Sequence, residues 1–362
     1  MDFHDHGGEI KENIKYDFSV NINPLGMPDY VREILKKVGE SKEEANFPEK
    51  IFCRYPDRFC KELREKIAGL ESLKEEEILC GNGASELIMA ICAYQSRQCP
   101  AGIHALVQAP TFSGYERAVK AFGGRVTYYK DGEELLFLLN KRSDCPEQAA
   151  NLIFLCNPNN PTGEVMENSG LLSLLNKTKE NPVLWVVDEC FIDFTHEKSL
   201  CEFLREYPNL VVLKAFTKFY AMPGLRLGYL CAKESLRGKI SGFLPEWNVS
   251  APAQYFGIRA IENPERVRNF KEQTLKVIDA ERTFLIKELS QMGIEVSDSK
   301  ANFVLCGSKD QNLWEKLKEE QILVRNCSNF SGLSEGCIRV CVSLHKENER
   351  LIRTLKNLMG LI

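Results

Sequence analysis

Three segments of the sequence place charged or amide side chains at the ends of apolar runs, and they are the first candidates for chemistry. In Lys214–Tyr229, Lys218 is followed after eight residues by Arg226, within Gly-Leu-Arg-Leu-Gly-Tyr. Asp188 ends the run Val-Leu-Trp-Val-Val, and the turn-rich loop Asn157–Gly163 follows another apolar run. Each segment alone could be a solvated loop. Their common position at strand ends predicts one shared site, because ligands of doubly wound sheets bind at the carboxyl ends of the strands.

The elements that position these segments follow from an alternation of short β-branched or aromatic runs with longer helical patterns. Helix-like stretches such as Ser85–Gln95 and Tyr115–Phe122 lie between the runs. Such alternation predicts an α/β fold with a mostly parallel sheet covered by helices on both faces. The predicted strands are Ala105–Ala109, Arg125–Lys130, Leu152–Cys156, Val183–Val187, Leu210–Lys214 and Leu227–Cys231.

The length of 362 residues predicts about two domains. We expect an N-terminal arm over residues 1–45, a large domain over 46–250 and a smaller α+β domain over 251–362, against which the arm packs. The smaller domain is predicted from a long amphipathic helix, three short strands and a closing helix. These elements are Pro264–Gly293, Asn302–Cys306, Ile322–Val324, Ile338–Val342 and Asn348–Leu361.

Composition excludes several classes of protein. The formal net charge of −4 argues against a nucleic-acid partner, which requires a basic surface. No apolar run has the roughly 20 residues of a membrane-spanning helix, and the N-terminus lacks the features of a secretory signal. We therefore expect a cytoplasmic protein without a membrane partner. The 14 cysteines form no Cys-x-x-Cys pair, which predicts buried reduced thiols and no metal site.

Together these motifs resemble the fold-type I, pyridoxal-phosphate-dependent aminotransferase superfamily of class I/II. The resemblance implies a large domain whose mostly parallel sheet is sandwiched by helices, a smaller C-terminal α+β domain, and pyridoxal 5'-phosphate as the cofactor. Lys218 matches the catalytic lysine that binds the cofactor covalently and transfers protons. Asp188 matches the carboxylate that pairs with the pyridine nitrogen, where an anion favours the protonated ring. Asn160 matches the donor to the phenolic oxygen, and Arg226, with Thr217 nearby, matches the phosphate-binding arginine.

Other positions match the family by the same comparison. Gly83, Ala84 and Ser85 match its phosphate-binding turn, which precedes a helical stretch whose free N–H groups could face an anion. Phe112 matches the aromatic that stacks on the pyridine ring. Tyr55 resembles the tyrosine that reaches the cofactor phosphate of the neighbouring subunit, which implies a homodimer with shared sites. Arg339 matches the arginine that holds the substrate carboxylate, for which a planar guanidinium is well suited.

Two positions depart from the common pattern of the superfamily. Ala215 stands where many relatives have a phosphate-binding Ser or Thr. Phe191 stands where many aminotransferases have a tyrosine that donates to the phenolic oxygen. A phenyl ring cannot donate, so Asn160 is expected to be the remaining side-chain donor to that oxygen.

A narrower resemblance is to the threonine-phosphate decarboxylases within the histidinol-phosphate aminotransferase branch, which have Phe at the Phe191 position. It implies decarboxylation of L-threonine O-3-phosphate to (R)-1-amino-2-propanol O-2-phosphate and carbon dioxide in cobalamin biosynthesis. His6, Asn21 and Arg325 would bind the substrate phosphate, and Asn160 and Arg339 would also contact the substrate. The segments that carry this resemblance are His6–Gly8, Asp17–Pro28, Asp188–Glu197, Lys218–Gly224 and Ile322–Cys327.

Two alternatives stay open at the level of sequence. A histidinol-phosphate aminotransferase, or a related 2-oxoglutarate-dependent aminotransferase, would share every cofactor residue. A non-catalytic regulator built on this fold is a second alternative, but such proteins usually carry an added DNA-binding segment. About 45 residues precede the predicted large domain, without a helix-turn-helix pattern or a basic patch.

Overall fold

The structure is a computed structural model that describes residues 13–40, 51–140, 149–181 and 183–362. The strands are β1 (Tyr16–Asp17), β2 (Ile78–Gly81), β3 (His104–Gln108), β4 (Arg125–Tyr129), β5 (Leu152–Cys156), β6 (Leu184–Asp188), β7 (Leu210–Ala215), β8 (Gly228–Ala232), β9 (Glu295–Val296), β10 (Phe303–Gly307), β11 (Ile322–Leu323), β12 (Arg325–Asn326) and β13 (Cys337–Cys341).

The helices alternate with these strands in the first two thirds of the chain and flank them in the last third. They are α1 (Asp29–Glu40), α2 (Lys61–Glu71), α3 (Ala84–Gln98), α4 (Gly114–Ala121), α5 (Gly132–Asn140), α6 (Asn168–Lys177), α7 (Phe216–Phe219), α8 (Glu234–Ser241), α9 (Ala251–Ile261), α10 (Pro264–Gln291), α11 (Leu313–Glu319) and α12 (His345–Leu358).

The central sheet has seven strands in the order β2-β8-β7-β6-β5-β3-β4. Only β8 runs antiparallel to its neighbours, so the predicted α/β fold with a mostly parallel sheet is confirmed. All six predicted strands are present, with ends shifted by at most one residue. The sequence analysis missed β2, a four-residue strand that pairs with β8 at the edge of the sheet.

The sheet is buried on both faces, which explains its continuous apolar strands. In β5, Leu152 and Phe154 pack into the core on the side of α3, whereas Ile153 and Leu155 pack into the core on the opposite side. Both faces of a parallel sheet are covered in this way when crossover helices lie on each side. The ends of the strands are then the open part of the sheet.

An ion pair is buried beneath the end of β7. Lys214 Nζ lies 2.7 Å from Glu71 Oε1, and both side chains are almost fully buried. Tyr229 on β8 donates a hydrogen bond of 2.6 Å to the same carboxylate oxygen. The pair therefore ties the end of α2 to two adjacent strands, close to the turn that carries Lys218.

The C-terminal part of the chain forms a second, four-stranded antiparallel sheet in the order β12-β13-β10-β9. The long helix α10 and the closing helix α12 pack on each other beside it. Near the N-terminus, β1 pairs in parallel with β11. The divisions at residues 45 and 250 remain proposals. Helix α9, just after residue 250, packs against α2 of the preceding part.

The cysteines in the described ranges are all free thiols, and most are buried, for example Cys156, Cys306 and Cys341. Within the same ranges, no group of His, Cys, Asp and Glu side chains is arranged to hold a metal ion. None of the helices that the structure describes is long and apolar enough to cross a membrane.

Candidate active site

One pocket at the carboxyl ends of β5, β6 and β7 gathers most of the predicted site residues. It is lined by Asn21, Ala84, Ser85, Phe112, Asn160, Asp188, Thr217, Lys218, Arg226, Arg325 and Arg339. The two departures from the family pattern, Ala215 and Phe191, also line it. The shared site that the sequence predicts at the strand ends is therefore present as a single pocket.

Asp188 lies at the inner end of the pocket as the last residue of β6, and its side chain is fixed from two directions. Its Oδ1 accepts a hydrogen bond of 3.0 Å from the backbone N–H of Cys190. Its Oδ2 accepts a hydrogen bond of 2.7 Å from the hydroxyl of Tyr115. Burial and the nearby carboxylate hold the pKa of Tyr115 well above its usual range, so Tyr115 stays a donor. A buried carboxylate with two donors is suited to pair with a protonated ring nitrogen.

Lys218 lies on α7, the single helical turn that follows β7. Its Nζ is 6.0 Å from the centroid of the Phe191 ring. Burial, and secondarily the charge of Arg339, lower the pKa of Lys218 to about 8. A lysine with a pKa near 8 is still mostly charged at pH 7, but its neutral fraction is far larger than that of an ordinary lysine. A nucleophilic or proton-transferring amine needs such a neutral fraction.

An anion cradle lies on one side of Lys218. Gly83 precedes α3 with a φ of 76° and gives the helix no side-chain cap, so the first backbone N–H groups of α3, at Ala84 and Ser85, are open to a ligand. A Cβ on Gly83 would lie 2.7 Å from Nη2 of Arg226. The missing side chain thus lets the guanidinium approach the turn. Two kinds of donor suited to a phosphate meet at this point.

Two arginines face the pocket from the C-terminal sheet. Arg325 on β12 and Arg339 on β13 are directly paired across the two strands, so they share one face. Arg339 donates to Asn160 Oδ1 at 2.5 Å and to the Ser19 carbonyl at 2.7 Å, and burial lowers its pKa to about 10. Arg325 donates to Asn329 Oδ1 at 3.0 Å. Two adjacent, buried guanidinium groups therefore line the same side of the pocket.

Two polar atoms near these arginines are buried without a hydrogen-bond partner in the described chain. They are Oδ1 of Asn21 and Nε of Arg339. Buried polar atoms are usually satisfied, and both side chains line the pocket. Their position is consistent with contacts to a bound ligand.

Three predicted site residues are not among those that line the pocket. Gly83 lies in the turn just before the lining residues Ala84 and Ser85. His6 lies outside the described residues, so its predicted role is not examined by the structure. Tyr55 is 81% exposed and does not line the pocket. Its ring packs on Trp247 with centroids 4.8 Å apart. Its predicted contact with a neighbouring subunit stays a prediction, and its exposure leaves it accessible to one.

The sequence analysis missed several residues that line the pocket or support it. The apolar helical pattern around Tyr115 indicates only that this residue packs in the core. Ser19 contributes a backbone carbonyl, which no side-chain pattern can indicate. Cys190 follows the acidic pair at the end of β6 and was noted only as part of a longer motif. Phe330 packs under the Arg325 guanidinium, 5.4 Å from ring centroid to Cζ.

The donor set fits pyridoxal 5'-phosphate. A partly neutral lysine is available for its aldehyde, a buried carboxylate for its ring nitrogen, and the anion cradle for its phosphate. Comparison with known proteins agrees: the family model for aminotransferases of class I and II matches residues 13–355. The chain belongs to this family. As a member of this family, it is an enzyme that depends on pyridoxal 5'-phosphate, and the predicted fold-type I architecture is confirmed.

Relatives within the family carry two different names. A putative threonine-phosphate decarboxylase of Caldanaerobacter subterraneus subsp. tengcongensis is 36% identical over 374 residues, covering 98% of this chain and 94% of that protein. The histidinol-phosphate aminotransferase of Clostridium acetobutylicum has a similar structure, with a TM-score of 0.83, 28% identity and coverage of 96% of this chain and 100% of that one. The L-threonine-O-3-phosphate decarboxylase of Porphyromonas gingivalis matches with a TM-score of 0.76, 25% identity and the same coverage.

Proposed function

We propose that this enzyme decarboxylates L-threonine O-3-phosphate to (R)-1-amino-2-propanol O-2-phosphate and carbon dioxide, a step of cobalamin biosynthesis. The observation that carries the proposal is the pair of buried arginines, Arg325 and Arg339, on one face of the C-terminal sheet. A substrate with both a carboxylate and a phosphate has one acidic group for each of the two guanidinium groups. The 36% identity to a protein named as a putative threonine-phosphate decarboxylase supports the same substrate.

The proposed roles divide between the two sides of the pocket. When bound, the pyridine ring of the cofactor supplies the electron sink for the electron pair left when a bond to Cα breaks. Asp188, whose carboxylate oxygens accept hydrogen bonds from Tyr115 and Cys190, is placed to pair with the ring nitrogen. Arg339 and Asn160, already joined by a hydrogen bond, orient the substrate carboxylate.

The remaining roles concern the substrate phosphate and the proton that replaces the carboxylate. Arg325, with Asn21 beside it in the pocket, binds the substrate phosphate. Lys218, whose lowered pKa lets its Nζ both lose and regain a proton near neutral pH, delivers a proton to Cα after carbon dioxide leaves.

We also propose a homodimer in which Tyr55 reaches the site of the partner. The surface around Tyr55 carries large exposed aromatic side chains, which are unusual on a monomer. These are Phe52, Tyr55, Phe59 and Trp247. Analytical ultracentrifugation would test the dimer. Tyr55→Ala should weaken cofactor binding if Tyr55 completes the site of the neighbouring subunit. A monomeric protein would contradict the proposed dimer, and unchanged cofactor affinity in Tyr55→Ala would contradict the proposed role of Tyr55.

The decisive experiment is incubation of the holoenzyme with L-threonine O-3-phosphate and no keto acid, with carbon dioxide and aminopropanol phosphate both measured. Catalytic release of both products in equal amounts is the expected result. The alternative function is that of a histidinol-phosphate aminotransferase, and the structural similarity to such an enzyme supports it. If the substrate releases nothing, and L-histidinol phosphate instead converts the cofactor to its amine form with turnover on 2-oxoglutarate, the enzyme is an aminotransferase.

A further inference from the structure

Tyr115 is a buried titratable residue to which the proposed reaction gives no direct role. It is fully buried near the start of α4, and its hydroxyl donates the 2.7 Å hydrogen bond to Asp188 Oδ2. The second carboxylate oxygen is occupied by the Cys190 N–H at 3.0 Å. Tyr115 and the Cys190 backbone thus donate to different oxygens of Asp188, and of these two donors Tyr115 comes from a different element of the fold.

The ring of Tyr115 is held so that its hydroxyl points at Asp188. It stacks on Phe154 of β5, with centroids 4.8 Å apart and an interplanar angle of 10°. Its other contact is edge-to-face with Phe112, at 5.4 Å and 86°. Phe112 lines the pocket. Tyr115 thus contacts both Asp188, which is expected to pair with the nitrogen of the cofactor ring, and Phe112, which is expected to stack on the face of that ring.

A hydrogen bond donated to a carboxylate stabilises its charged form. If the donor were lost, the carboxylate would be less firmly held and would pair less strongly with a protonated ring nitrogen. The charged form of the ring is the better electron sink. Burial also raises the pKa of Tyr115 well above its usual range, so its hydroxyl keeps the proton that it donates at neutral pH.

We infer that Tyr115 is a positioning residue that holds the Asp188 carboxylate in the orientation that pairs with the ring nitrogen of the bound cofactor, and thereby favours the protonated form of that nitrogen. This inference rests on the cofactor of the family and not on the proposed substrate. It therefore holds for either reaction, and its failure would be distinct from a failure of the decarboxylase proposal.

The test is Tyr115→Phe, with Tyr129→Phe as the matched control. Tyr129 is also buried, and its hydroxyl donates to the Phe154 carbonyl at 3.1 Å, on the strand beside Tyr115 but away from Asp188. Both changes remove one hydroxyl from the same part of the core and keep the ring. A structural effect should therefore appear in both variants, as a similar fall in the melting temperature of the apoenzyme.

The informative readout is the binding of two cofactors to each apoenzyme: pyridoxal phosphate and its analogue with carbon in place of the ring nitrogen. We expect Tyr115→Phe to weaken binding of pyridoxal phosphate about tenfold, the scale of one hydrogen bond to a charged group. Binding of the carbon analogue should be unchanged. The pH midpoint of the absorbance of the bound cofactor should shift in Tyr115→Phe and not in Tyr129→Phe.

Turnover gives a second readout, with kcat expected to fall about tenfold in Tyr115→Phe while KM stays within twofold. Equal weakening for both cofactors would show that Tyr115 acts through packing, and the inference would be overturned. Unchanged binding of pyridoxal phosphate and an unshifted pH midpoint would overturn it as well.

Discussion

Removing the Arg325 guanidinium should abolish recognition of a substrate phosphate and leave recognition of the rest of the substrate intact. Arg325→Met is the suitable change, because a methionine keeps an apolar stem against Phe330, on which the guanidinium packs. The side chain is only 7% exposed, so solvent cannot easily replace the charge. Arg325→Lys keeps the charge but loses the planar fork that binds phosphate through two hydrogen bonds.

The expected magnitude follows from the number of bonds that are lost. One hydrogen bond to a charged group contributes about 1.5–3 kcal/mol. At about 1.4 kcal/mol for each factor of ten, the loss of one bond lowers kcat/KM about 10- to 150-fold. The loss of a two-bond contact lowers it about 10²- to 10⁴-fold by the same conversion. Arg325→Lys should lie near the smaller value and Arg325→Met near the larger one.

The assay compares carbon dioxide release from L-threonine O-3-phosphate with release from L-threonine, which lacks the phosphate. For Arg325→Met, kcat/KM should fall for the phosphorylated substrate and stay within about threefold for threonine, the margin expected for a contact not involved. Arg282→Met is the control, since Arg282 is bound to Asp279 at 2.6 Å and does not line the pocket. Equal losses for both substrates in Arg325→Met would refute the reasoning.

Three further outcomes are expected. Gly83→Ala should weaken cofactor binding at least tenfold, because its Cβ would lie 2.7 Å from the Arg226 guanidinium. The control is Gly102→Ala, which has a similar positive φ with open space around it and should leave cofactor binding unchanged. Equal Kd values from fluorescence titration of the two apoenzymes would contradict this prediction. The rate of covalent cofactor attachment to the apoenzyme, followed by absorbance, should rise about tenfold per pH unit below pH 8 and level off above it. The reason is that the pKa of Lys218 is lowered to about 8 and only its neutral amine reacts. A rate that does not change between about pH 6.5 and 9 would exclude this amine as the titrating group. Lys214→Met should lower the free energy of unfolding, measured in urea titrations, by about 3–5 kcal/mol, because Glu71 is left buried without its cation. The double variant Lys214→Met/Glu71→Leu should recover part of this loss. If the losses of the two single variants simply add in the double variant, the two side chains do not stabilise the fold as a pair.

The parts of the site that the sequence could predict are those fixed by position along a strand. Asp188 and Lys218 follow apolar runs, and a side chain at the end of a buried parallel strand must emerge at the ligand-binding edge. Tyr115 could not be found in this way, because its partner Asp188 is 73 residues away and a tyrosine on an apolar helix face usually indicates core packing. The shared face of Arg325 and Arg339 depends on the register of two short antiparallel strands, which residue types alone do not determine.

The same distinction applies to the fold. The continuous apolar character of β5 and β6 made their burial and their strand type predictable. The direction of β8 was not predictable, because a strand buried on both sides has the same composition whether it runs parallel or antiparallel to its neighbours. The short strand β2 precedes the turn at Gly83, and its four residues are too few for a periodic pattern to stand out.

The pairing of β1 with β11 bears on how this chain could acquire new activities. It joins the segment that contains Ser19 and Asn21 to the part of the chain that carries Arg325 and Arg339. Apart from Asn160, the groups proposed to contact the substrate therefore belong to the two ends of the chain. The groups placed to hold the cofactor lie between residues 83 and 226. Mutations in the terminal segments would therefore change which substrate is bound while leaving most of the cofactor-binding residues unchanged. The two parts of the site meet at the hydrogen bond between Arg339 and Asn160, which is where a change of substrate would also affect the chemistry.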